Sequence, residues 1–103
     1  MPRKKRTYSV VLRTPKGKET WKVKLARLPA NQHEKVYGLC SYEKKTITID
    51  DRHDFKTILQ TAIHEASHSA LGPDLSESAI ERIEHNVFAV AWLFLEDKLD
   101  MED

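Results

Sequence analysis

At 103 residues, with 40% hydrophobic and 32% charged residues, the chain has the composition of an ordinary globular domain and length for one modest core. A single cysteine, Cys40, excludes an internal disulfide, and the longest apolar run, Val87 to Leu95, is far shorter than the about 20 residues that span a bilayer. The net charge of +1 conceals a polarity: residues 1–27 hold ten Lys or Arg and one acid, whereas residues 74–103 hold nine acids and two bases. With no apolar leader resembling a signal peptide, a cytoplasmic protein is expected.

Residues 1–6, with the run "PRKKR", read as a basic flexible tail, and residues 7–103 as a single domain. Such a tail keeps a small protein soluble, and it can also contact nucleic acid or an acidic partner. Thr7 to Thr14 is β-branched and aromatic, "PKGKE" has turn chemistry, and Thr20 to Leu28 alternates Trp21, Val23 and Leu25 with polar residues. Together these predict a β-hairpin. "PANQHE" reads as a loop. Val36 to Tyr42 and Lys45 to Asp50 read as a second strand pair turning at Glu43-Lys44.

The period then changes from two to 3.6. Phe55, Ile58, Leu59, Ala62, Ile63, Ala66 and Ala70 form one helical stripe, started by Asp51 or Asp54 and stopped at Gly72-Pro73. A second helix is expected from Asp74, as N-cap of a capping-box-like "DLSE", to about Leu99, with Ile80, Ile83, Val87, Ala91 and Phe94 facing inward. The predicted fold is α+β: an N-terminal antiparallel sheet of three to four strands followed by an αα-hairpin.

The first helix contains "HEASH", placing His64, Glu65 and His68 in the order H-E-x-x-H. On a helical wheel both histidines lie opposite the apolar stripe, so they are not core residues. Positions i and i+4 stack about 6 Å apart along the axis, so both imidazoles can converge on one tetrahedral zinc. Glu65, one step round, is placed to act as general base on a zinc-activated water. A third protein ligand is needed. Across an antiparallel hairpin, with side chains leaning toward the turn, Glu81 ranks first, then Glu77, Asp74 and Glu84. The plainer alternative is a solvated polar face with Glu81 pairing to His85. The helical context and the acids on the following helix favour the metal site.

This constellation resembles the small zincin metallopeptidases. "VYGLCSYEKKTITID", then "IHEASH", then a helix with glutamates is similar to minigluzincins and to SprT-like and ImmA/IrrE-like domains, including compact phage-encoded members. The resemblance covers roughly residues 36–94. In gluzincins a glutamate of the second helix completes the zinc site, which carries onto Glu81. The ImmA/IrrE-like pattern has that glutamate four residues before an Asn ahead of Phe-Ala, whereas Glu81 stands five before Asn86. SprT-like proteins use a third histidine, and His85 is the one downstream of the motif.

The activity so implied is zinc-dependent hydrolysis of peptide bonds in a peptide or protein substrate. The "KTITID" strand can hold an extended substrate if it lies at the cleft edge. Tyr37, Tyr42 and His85 are candidates for stabilising an oxyanion. His33 and His53 read as isolated loop residues, and Cys40 as a small buried group without a nucleophile's partner. The rival reading is a zinc-stabilised binding or regulatory module with little turnover. Its mark is binding to nucleic acid or a protein partner that weakens with salt and survives Glu65→Gln. A metal-free helical hairpin, indifferent to chelators, is the third.

Overall fold

The computed structural model describes residues 6–28 and 37–101. Strands β1 (Thr7–Thr14) and β2 (Gly17–Ala26) form the expected hairpin, with Thr14 opposite Gly17 and Pro15-Lys16 between them. Gly17 has φ 105°, a left-handed value that residues with a Cβ rarely adopt, so the second strand starts here, three residues before Thr20. Strands β3 (Gly38–Ser41) and β4 (Thr46–Asp50) pair antiparallel across a four-residue turn. Helices α1 (Phe55–Leu71) and α2 (Glu77–Met101) follow. "PANQHE", His33 and residues 1–5 of the basic tail lie outside the described residues. Arg6 belongs to the fold: its backbone carbonyl accepts from Leu25 N at 2.8 Å, and its guanidinium ion-pairs with Asp51.

The architecture is α+β, but the sheet is mixed, not antiparallel throughout. Its order is β1-β2-β4-β3, and β2 and β4 run parallel, with Val23 opposite Ile47 and Leu25 opposite Ile49. A parallel pair needs a long connection, and the chain from Ala26 to Thr46 supplies one. The second hairpin thus docks through β4, which leaves β3 as the edge strand. The "KTITID" segment lies in the sheet interior, in ordinary pairing on both sides, so the condition for it to hold a substrate at the cleft edge is not met.

Register assigns the two faces. Trp21, Ile47 and Ile49 are buried on one, packed by Val23, Leu25, Cys40, Ile58 and Ala62. Burying each such large side chain contributes about 1.5–3 kcal/mol. The opposite face alternates Thr7, Lys24 and Thr48 in one cross-strand row with Ser9, Lys22 and Thr46 in the next. Helix α1 covers the apolar face, and α2 packs on α1 alone among the described elements. No described helix is long and apolar enough to cross a membrane.

Both helices bury the expected faces in part: Ile58 and Ala62 of α1 pack on the core and Ile80 of α2 is fully buried, but the most buried positions of α1 and the outer members of both stripes differ. On α1, burial follows Thr61, Glu65 and Ser69, flanked by Ile58 and Ala62, while Phe55 is 59% exposed and Ala70 is exposed. Polar residues tolerate this because their hydroxyls are satisfied within the helix: Thr61 Oγ1 donates to Thr57 O at 2.8 Å, and Ser69 Oγ to Ala66 O at 2.7 Å. On α2, Ile80 and Phe88 are buried and Phe88 stacks on Trp92, whereas Val87 and Phe94 face solvent.

Candidate metal centre

Helix α1 is pinned at both ends. Asp54 caps its start, accepting from Thr57 N at 2.9 Å. Gly72, at φ 82°, ends it, and its N–H donates to His68 O at 2.9 Å. That carbonyl also accepts the Tyr42 hydroxyl at 3.1 Å, so the turn after β3 holds the backbone of the second histidine.

Helix α2 begins at Glu77, not at Asp74. Its cap is Ser76, whose Oγ accepts from Ala79 N at 3.2 Å and whose carbonyl accepts from Ile80 N at 3.1 Å. The later start moves Glu77 from the expected third helical position to the first, where it has no capping task. Its carboxylate instead turns across to α1, with Oε1 2.7 Å from His64 Nε2 and 3.2 Å from His68 Nε2. The ligand atoms of His64, His68 and Glu77 lie within 4.8 Å of one another.

The remaining acids take other places. Glu81, ranked first from the sequence, lines the same cleft but is exposed and outside this cluster. Glu84, ranked last as a ligand, reaches the other imidazole nitrogen, with Oε1 2.7 Å from His64 Nδ1. Asp74 and His85 are exposed and do not line the cleft. His53 packs its ring edge-on against Tyr37, centroids 4.5 Å apart.

Glu65 points to the opposite wall and is only 7% exposed. Gly38 of β3 is what admits it. A Cβ added at Gly38 would stand 2.7 Å from Thr61 Cγ2 and 3.1 Å from Glu65 Cγ, so only glycine lets this strand lie against α1. The cleft between β3 and the two helices has a volume of about 810 Å³ and is lined by the His/Glu cluster, Tyr37, Leu39, Tyr42 and Leu75 among others.

The electrostatics follow the packing. Burial raises the Glu65 carboxyl above its ordinary pKa despite the two nearby imidazoles. Burial works against a charged His64, yet the carboxylates of Glu84, Glu65 and Glu77 outweigh it and its pKa rises. Burial works against a charged Glu77 as well, but the bonds to His68 and His64 leave its pKa lowered. Cys40, also on the cleft wall, is pushed up to about 11, chiefly by burial, which makes it a poor nucleophile.

The donor set is compatible with a metal ion. Two ligands on a tetrahedral zinc, each at 2.0–2.2 Å, lie about 3.3 Å apart. The two short pairs here, at 2.7 and 3.2 Å, are direct imidazole–carboxylate contacts, and all three ligand atoms lie within 4.8 Å, so a metal would part them only slightly. The set is two imidazole nitrogens and a carboxylate oxygen, beside open cleft. The Glu84 contact to His64 Nδ1 is the kind of outer carboxylate that metal-binding histidines usually have, and it would favour the tautomer in which Nε2 can turn from Glu77 to a metal.

No protein-family model, curated protein or solved structure matches this chain.

Proposed function

We propose that the chain is a zinc-dependent metallopeptidase, with His64, His68 and Glu77 holding the metal and Glu65 as general base. The observation that carries this reading is the convergence of both H-E-x-x-H histidines and a carboxylate of the next helix on one point, with the motif's glutamate buried beside the same cleft. A bound zinc would acidify its water and polarise the scissile carbonyl. Glu65 accepts the proton of the attacking water and returns it to the leaving amine. A carboxyl raised by burial suits both directions of that transfer.

Glu84 holds His64 in its ligating orientation, and Tyr42 holds the His68 backbone. An extended substrate adds to the outer edge of β3, whose other edge is taken by β4. The Tyr42 hydroxyl is already committed to His68 O, which leaves Tyr37, on the cleft wall and 49% exposed, as the tyrosine available to an oxyanion.

The test is zinc stoichiometry on tag-free protein, paired with turnover of a peptide library. One zinc per chain is expected. Glu65→Gln is expected to retain the metal and lose about 10²–10⁴ in rate, the usual contribution of a general base. Wild-type protein that takes up no zinc on reconstitution would sink the proposal. Full zinc without turnover in the wild type would leave a metal-stabilised binding module in its place, and rates unchanged in Glu65→Gln would remove Glu65 as the general base.

A further inference from the structure

The apolar face of the sheet is covered by α1, whereas the other face is covered by no described element and is basic. Strand alternation and register put Arg13, Lys18, Lys22 and Lys24 together on it. All four are exposed, and none forms an ion pair with a described residue. The acid on this face is Asp50, at the end of β4, which is buried and bonded to Arg52 through both carboxylate oxygens. Arg13 and Lys18 stand directly opposite each other, a like-charge pair that destabilises a hairpin unless an anion lies between. Lys22 is flanked by Thr46, whose hydroxyl donates to Lys44 O at 3.0 Å, and by Ser9, whose hydroxyl is a donor suited to phosphate oxygens.

We infer that this face binds the phosphate backbone of duplex nucleic acid. Lysines two apart on one strand stand about 6.6 Å from each other, and neighbouring strands lie about 4.8 Å apart, so Lys18, Lys22 and Lys24 form a row along β2 with Arg13 beside its first member. Among the described strand residues no aromatic side chain stands on the face, since Tyr8 and Trp21 belong to the other one by register. Single-strand binders rely on aromatic platforms for base stacking, so this surface fits a duplex read by charge and not by sequence. Arg3, Lys4 and Lys5 precede β1 in the sequence and carry charge of the same sign. The face lies across the sheet from the cleft, so the inference is independent of the peptidase reading.

Fluorescence anisotropy of a short labelled DNA duplex, titrated with the full chain at several salt concentrations, tests it. Four neutralised phosphates give a slope of log affinity against log salt of about −3.6, or roughly 100-fold weaker binding between 50 and 200 mM salt. Lys18→Gln/Lys22→Gln/Lys24→Gln is expected to lower the slope by roughly one per lysine, while Lys98→Gln, on α2, leaves it unchanged. A thermal melt of each variant checks that the sheet is intact. The inference is overturned if wild type fails to bind the duplex at about 50 mM salt, where such contacts are strongest. It is equally overturned if an unpaired strand binds more tightly, if vesicles rich in phosphatidylserine are bound and the duplex is not, or if the triple variant matches wild type while Arg3→Gln/Lys4→Gln/Lys5→Gln abolishes binding.

Discussion

The two walls of the cleft are built differently. On the α2 wall, Glu77 is exposed and reaches both histidines by a flexible side chain from the first turn of a helix. On the β3 wall, Glu65 is buried and held by backbone proximity, where Gly38 leaves no room for a methyl group. On the proposed function, the α2 wall would capture and release a metal, and the β3 wall would keep a proton acceptor in place. If the two tasks are divided in this way, substitutions on each wall will fail in different assays.

The largest separation is expected from Glu77→Gln. It removes the anionic ligand and should lower zinc affinity by more than the roughly 10–100-fold that loss of an outer carboxylate typically causes. Its melting temperature without zinc should stay close to that of wild type, because Glu77 is exposed and buries little. Competition with a chromophoric chelator measures the first quantity and a thermal melt the second. A Glu77→Gln protein that binds zinc like wild type while Glu81→Gln does not would return the ligand to the position first expected. Glu84→Gln comes next, at about 10–100-fold in zinc affinity, because the amide can bond His64 Nδ1 but supplies no charge.

The contrast also shows what can be read along the chain. The H-E-x-x-H helix is legible because its signals are local: the motif, Asp54 at its start and Gly72-Pro73 at its end. The first hairpin is legible for the same reason. The start of α2 is not, since "DLSE" offers two good capping residues, Asp74 and Ser76, and the structure uses the second. That two-residue shift decides between Glu77 and Glu81 in the cluster. Parallel docking of β4 on β2 leaves no local mark, because it depends on where a whole hairpin lands. The buried face of α2 was obscured by the run from Val87 to Leu95, apolar on every side, in which periodicity carries little information. Gly38 has a recognisable role only once α1 lies against its strand.

The smallest expected effect tests the β3 wall through that glycine. Gly38→Ala places a methyl group 2.7 Å from Thr61 Cγ2, 3.1 Å from Glu65 Cγ and 3.1 Å from the Thr48 carbonyl, so β3 and α1 must separate. Overpacking of this kind costs about 1–3 kcal/mol, and each kcal/mol lowers the melting temperature of a domain this size by roughly 4–8 °C. Zinc affinity should change little, since His64, His68 and Glu77 belong to the helices and not to the strand. Turnover should fall, because Glu65 moves with the contact. Thr61→Ser removes the closest clashing atom while keeping the hydroxyl that donates to Thr57 O, so the double variant Gly38→Ala/Thr61→Ser should recover part of the lost stability. A single variant that melts like wild type, or one that loses zinc before it loses stability, would show that the two walls are mechanically one.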